Sequence, residues 1–266
     1  MIRLMHRALR TTIAICYAAF GVHHLMYRDF VTRVIPQLPA WVPARTFVVY
    51  LTGIALIAGA AGMLLDSRRA ALITGWGCLA SALLFHLPRA LTASQNLWTD
   101  LGKGMVLAGT AFLIAADLGS HARDRLVFYG KSALAGFMIL CGIEHFMYVE
   151  FVASLIPPWI PWHVFWTYFA AVALIAGGLG ILLPQTSKLA AVLSGIMILA
   201  WVPLVHIPLA IRNVHDPGQS VPVFEALAFG CAGVLATVVP AVRSLSRIPP
   251  ENEPQPTFPA VATPWK

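Results

Sequence analysis

Apolar runs of about 20 residues follow one another along nearly the whole chain, separated by short polar stretches. A helix of that length, rising ~1.5 Å per residue, crosses the ~30 Å hydrocarbon core of a bilayer. Only 11% of the residues are charged, whereas a soluble domain carries roughly a quarter. We therefore expect an all-α integral membrane protein with eight transmembrane helices. The runs lie at 8–27, 44–65, 70–90, 103–119, 129–149, 163–183, 189–211 and 222–243.

The two halves of the chain resemble each other. Residues 20–36 (FGVHHLMYRDFVTRVIP) and 141–157 (CGIEHFMYVEFVASLIP) are identical at eight of 17 positions. The second spans align as 47–65 with 165–183 and the third as 70–90 with 190–210, whereas the fourth spans share only small residues. The chain therefore reads as a tandem duplication. Four crossings per copy give both copies the same orientation, so we expect two parallel four-helix repeats.

This organisation divides the chain into three parts. The first repeat is expected at 1–125, the second at 126–243, and a disordered proline-rich tail at 244–266. With the N-terminus in the cytoplasm, twelve lysines and arginines lie on the cytoplasmic side and six on the other. The positive-inside rule then predicts a multi-pass inner-membrane protein with both termini cytoplasmic. The net charge of +7 comes from basic residues in the loops, which set the topology, so it does not indicate a nucleic-acid partner.

Four histidines lie at one predicted depth inside the spans. His24 matches His145, and His86 matches His206; each is about sixteen residues, or roughly 24 Å, from the cytoplasmic start of its span. Glu144 directly precedes His145. His86 and His206 are each followed two residues later by a proline, which frees a backbone carbonyl. Ionisable groups in membrane spans are costly and mark functional sites by default, so these five residues form the candidate cofactor-binding site.

Several chemistries fit this histidine layer. An imidazole donates to a quinone carbonyl and relays its proton, and a neighbouring acid orients the ring. Haem is not expected, because it needs opposed ligands that spacing alone does not establish. A metal centre is not expected either, because the thiolates and carboxylates are scattered. The structural alternative stays open, since histidines near helix ends also bond loop carbonyls. Lys103, following Asp100, and Glu225 are interpreted as span-boundary residues.

Two copies of one motif resemble the DoxX-like family of small four-helix membrane proteins. The first copy consists of Gly21, His24, Phe30, Pro36, Tyr50, Gly59 and Gly62, and the second of Gly142, His145, Phe151, Pro157, Tyr168, Gly177 and Gly180. Members often carry a second-helix glutamate where this chain has Leu56 and Leu174. The resemblance implies a membrane fold with a redox or quinone association, similar to the membrane subunit of a thiosulfate:quinone oxidoreductase.

Three functional hypotheses follow from these observations. The first is a DoxX-like accessory subunit that touches a quinone or a redox partner protein through the histidine layer. The second is a carrier or binding protein for a small lipophilic molecule held between the repeats, and the third is a structural scaffold. No phosphate loop, nucleophile elbow or HExxH helix occurs in the sequence. We expect no independent catalytic activity.

Overall fold

The computed structural model describes residues 2–31, 43–92 and 97–239, and all regular secondary structure in them is helical. Two five-residue π-helical turns, Ala82–His86 and Val202–His206, lie within the third and seventh apolar runs. The predicted tail at 244–266 lies outside the described residues. The helices are α1 (Ile2–Tyr27), α2 (Arg45–Leu64), α3 (Arg68–Ser81), α4 (Leu87–Thr92), α5 (Trp98–Asp117), α6 (Arg123–Met147), α7 (Val149–Leu155), α8 (His163–Leu182), α9 (Ser187–Trp201), α10 (Ile207–Arg212) and α11 (Pro217–Val238).

Within these residues, seven helices are long and apolar enough to cross a membrane. They coincide with seven of the eight predicted spans, and the all-helical membrane class is confirmed. The remaining span falls in α1, which has 26 residues but is not among the seven. Its arginines and its paired histidines lower its hydropathy. The eighth crossing therefore stays a prediction, as do the two repeats.

The helices α5 and α11 lie at the centre of the bundle. In the most apolar stretch of α5 and of α11, 67% and 61% of the residues are buried, against 28–33% in the other five membrane-length helices. They contact each other, and each also contacts one helix from the far half of the chain, α5 packing on α6 and α11 on α1. The outer contacts match as well, because α1 packs on α2 as α6 packs on α8, and α3 on α5 as α9 on α11.

Glycines set the closest helix crossings. A Cβ atom built on Gly21 of α1 would lie 2.5 Å from the backbone oxygen of Gly53 on α2. A Cβ atom on Gly142 of α6 would lie 2.8 Å from the backbone oxygen of Ala171 on α8. Backbone atoms cannot move aside as a side chain can, so both crossings depend on the missing side chain.

Two glycines of α6 give a matched test of this packing. We expect Gly142→Ala to destabilise the protein by about 1–3 kcal/mol through overpacking. Gly136→Ala is the control, because a Cβ atom there meets nothing within 4 Å. It should be neutral or stabilise by up to ~1 kcal/mol through helix propensity. Thermal unfolding in detergent measures both, and equal midpoints would disprove the role given to Gly142.

Candidate functional site

The predicted site residues lie at one end of the bundle, where α1, α4, α6 and α10 end and α5 and α11 begin. His24 and His86 are buried there, while His145 and His206 are half-buried. Glu144 is half-buried on α6, one residue before His145. The described contacts of His24 and His86 point to different helices. His24 lies against Gly53 of α2, whereas His86 lies beside the central helix α5.

The hydrogen bonds of two histidines fix their tautomers. Nδ1 of His24 lies 2.7 Å from the backbone oxygen of Phe20, and Nδ1 of His145 lies 2.7 Å from that of Cys141. A carbonyl oxygen only accepts, so each Nδ1 carries the proton and each Nε2 carries a lone pair. Nε2 of His24 is buried and meets no hydrogen-bond partner among the described residues. These neutral imidazoles therefore present acceptors, whereas the sequence suggested donors to a quinone carbonyl.

The two other histidines each end a π-helical turn. The N–H of Leu87 bonds the oxygen of Ala82, five residues earlier, and Ile207 bonds Val202 in the same way. The prolines that follow lack an N–H and clash with the preceding turn of a regular helix, so a wider turn relieves both problems. Such turns inside α-helices frequently lie at functional sites. The sequence predicted freed carbonyls here, and the structure shows π turns in both halves.

A buried ion pair, which the sequence did not predict, joins the two central helices. Nζ of Lys103 on α5 lies 2.9 Å from Oε2 of Glu225 on α11. The two side chains are only 12% and 4% exposed. The interpretation of both residues as boundary groups is therefore wrong, and Lys103 pairs with Glu225 rather than with Asp100.

Neighbouring helices pack closely on both sides of Lys103, at Gly102 and Gly104. A Cβ atom on Gly102 would lie 2.8 Å from Cδ2 of Phe137, so α6 comes close on that side. A Cβ atom on Gly104 would lie 3.0 Å from Cβ of Ala82 and 3.8 Å from Cδ2 of His86. The first π turn therefore packs against α5 directly next to the lysine, and it places His86 at the edge of this group.

A second acid completes the group. The hydroxyl of Thr99 on α5 donates to Oε1 of Glu144 on α6. The Cys141 thiol lies one turn before Glu144, within electrostatic range of Glu144, Lys103 and Glu225. Three ionisable side chains from three helices thus lie around one thiol. We call Lys103, Glu144 and Glu225 the charged cluster.

The other side of the bundle has an aromatic counterpart of this cluster. The Ser220 hydroxyl on α11 lies 3.0 Å from Nε2 of His23, the residue aligned with Glu144, much as Thr99 on α5 bonds Glu144. Where the charged side has the Cys141 thiol, this side has the ring of Phe20, which meets Phe224 edge-to-face at 6.4 Å. Only one of the two matching interfaces carries the charged cluster.

The charged cluster was not predicted from the sequence because two helices begin earlier than their apolar runs. The fourth run was taken to start at 103 and the eighth at 222, but α5 begins at Trp98 and α11 at Pro217. Lys103 thus lies ~7.5 Å and Glu225 ~12 Å inside its helix. One signal was available, since Asp216 caps α11 by accepting from the Gly218 N–H and is followed by proline.

Among the described residues, no group of three or more His, Cys, Asp or Glu side chains could hold a metal ion. The acceptor nitrogens and the charged cluster instead suit the hydrogen-bonding groups of an organic molecule.

Residues 134–244 match a family model described as a domain of unknown function (DUF8561). The matched stretch runs from within α6 past the end of α11, so it covers most of the predicted second repeat. No curated protein and no solved structure was found to match the chain. The DoxX-like resemblance stays a prediction.

Proposed function

We propose that this protein binds a small lipophilic molecule between two parallel four-helix repeats, beside the charged cluster, with quinones as the candidate class. The positive-inside rule favours an inner-membrane location with both termini cytoplasmic, which would place the cluster near the periplasmic side. The DoxX-like resemblance suggests an accessory role next to a redox partner protein, with no independent catalysis.

The buried Lys103–Glu225 ion pair is the observation that carries this proposal. Charged side chains inside a membrane bundle are expensive and usually belong to substrate or proton pathways. Lys103 and Glu225 also come from different halves of the chain, so a ligand held there would contact both. A purely structural scaffold would reach the same packing with apolar side chains, which often match or exceed a buried ion pair in stability.

The groups present fit a quinone headgroup. An ammonium has three N–H donors, and one of those on Lys103 is used by Glu225. A second donor would reach a ligand oxygen, while Glu144 or Glu225 would hold or pass on a proton. His86, buried beside Gly104, lies at the edge of the same region.

A carrier of lipophilic molecules is the second candidate. The matching contacts of the two halves favour it, because related halves that pack through a central pair of helices can move against each other around a site between them.

Extraction of the purified protein tests the proposal. We expect quinones or other lipophiles to co-purify with the wild type and to fall at least about tenfold in Lys103→Met/Glu225→Gln, a loss that corresponds to ~1.4 kcal/mol of binding free energy. The control is Arg45→Gln/Asp29→Asn, which removes an ion pair at the same end but outside the cluster. Mass spectrometry of the extracts gives the readout. If both double variants retained as much lipophile as the wild type, the proposal would be disproved and a scaffold favoured.

A further inference from the structure

We propose that the site selects the reduced, hydroxyl-bearing form of its ligand, a hydroquinone or a related phenol, which donates a hydrogen bond to Glu225. This inference rests on the proposed function and specifies its ligand. A set of matched probes distinguishes a failure of this inference from a failure of the proposed function.

The starting observation is one carboxylate oxygen. Oε2 of Glu225 accepts from Lys103, but Oε1 is buried and meets no hydrogen-bond donor in the described part of the chain. A buried acceptor without a donor is costly, and native structures rarely keep one unless a water or a ligand fills it. The side chain is held deep between α5 and α11, so bulk solvent does not reach it.

The charge state of Glu225 determines which ligand group suits that oxygen. Glu225 forms an ion pair with the ammonium of Lys103 at 2.9 Å, and the carboxylate of such a pair only accepts. A quinone carbonyl also only accepts, so it cannot bond Oε1. A hydroquinone hydroxyl can donate to Oε1 while its oxygen accepts from Nζ of Lys103. One hydroxyl thus satisfies both members of the ion pair.

Other polar side chains at this end of the bundle also present acceptors. Nε2 of His24 and Nε2 of His145 carry lone pairs, because Nδ1 of each ring donates to a backbone carbonyl. The second carboxylate of the cluster, Glu144, accepts from Thr99. Lys103 donates to Glu225 within the charged cluster. A buried hydrogen-bonding site rejects a ligand that leaves its polar groups unpaired, so this set should discriminate against the carbonyl form.

Binding of a matched set of probes tests the selectivity. Protein in lipid nanodiscs is titrated without oxygen with trimethylhydroquinone, with trimethyl-1,4-benzoquinone, and with the dimethyl ether of the hydroquinone. We expect the hydroquinone to bind wild type at least about tenfold more tightly than the other two, each tenfold step being ~1.4 kcal/mol. Glu225→Gln should reduce that ratio to near one, because the amide also offers a donor to a carbonyl. Glu150→Gln, at an exposed position on α7, is the control and should keep the wild-type ratio.

The outcomes are distinct. Equal binding of hydroquinone and quinone by wild type, or preference for the quinone, would overturn the inference and leave the proposed function standing. Binding of none of the probes, with no lipophile co-purifying, would remove the proposed function itself. If Glu225→Gln kept the wild-type preference for the hydroquinone, a group other than Glu225 would bind the hydroxyl, and the role given to Glu225 would be overturned. If that variant does not fold, the dimethyl ether still decides on wild type, because it lacks both the donor and the carbonyl and must bind weakly.

Discussion

Replacing Lys103 with methionine should destabilise the protein by about 3–5 kcal/mol, the usual cost of leaving one partner of a buried ion pair without the other. Glu225 would then be a carboxylate that is only 4% exposed and has no cation beside it. Methionine approximates the length of the lysine stem, so the effect reports charge rather than a cavity. Unfolding of the purified protein in detergent, followed by loss of helicity with denaturant, measures the change.

Adding Glu225→Gln to this variant should recover much of the lost stability, because no buried charge then remains. A strong positive coupling in this double-mutant cycle is the expected signature. Arg45→Met supplies the comparison, since Arg45 pairs with Asp29 at the same end of the bundle but the two side chains are 25% and 37% exposed. An exposed pair contributes about 0–1 kcal/mol. A Lys103→Met variant that unfolds like Arg45→Met would contradict the importance given to the buried pair.

Much of the helical architecture was readable from hydropathy alone. Apolar runs of membrane length leave few alternatives to helices, and the described elements follow the predicted runs closely. Turn chemistry would have sharpened the boundaries, since Asp216 and Pro217 mark the start of α11 where the apolar run is weak. The sequence predicted freed backbone carbonyls next to the prolines that follow His86 and His206. The structure has a π turn that ends on a histidine at both places. Such a turn depends on packing against the central helices, which the sequence alone does not specify.

The candidate site was harder to predict. Which side of a helix is buried depends on its rotation against its neighbours, and spacing along one helix does not give that rotation. Lys103 and Glu225 are 122 positions apart, and each looks like an ordinary boundary residue in its own repeat. Only the crossing of α5 with α11 brings them together. The four histidines stood out because both halves of the chain carry them, but a position that is alike in two similar halves need not be functional.

The differences between the two halves of the chain are more informative than their similarities. Where one interface has Phe20 packed on Phe224, the matching interface has Cys141 near Lys103. Of these two matching positions among the described residues, one is aromatic and the other lies beside buried charge. A ligand recognised by this charge would bind once per chain, on the side of the bundle formed by α5, α6 and α11.

The opposite end of the bundle contains a second buried acid, which lies in the first half of the chain. Asp117, at the end of α5, accepts from Arg10 at 2.8 Å and lies 2.6 Å from Nδ1 of His6, both on α1. Arg10 also reaches Asp66, after α2, at 3.0 Å. In the second half, the position aligned with Arg10 is Lys131, which donates to the Ser187 hydroxyl at 3.2 Å. At these aligned positions, the first half thus has an ionic network and the second has a hydrogen bond to a hydroxyl.

Asp117→Asn should therefore cost about 3 kcal/mol, because it leaves Arg10 and His6 without the acid that they share in a site where water does not replace it. Asp66→Asn is the matched control. Both acids contact Arg10, but the Asp66 side chain is 57% exposed and that of Asp117 only 5%. An exposed partner contributes about 0–1 kcal/mol, so the control should stay close to wild type. Denaturant unfolding in detergent measures both variants, and a larger loss for Asp66→Asn would show that exposure does not govern this network.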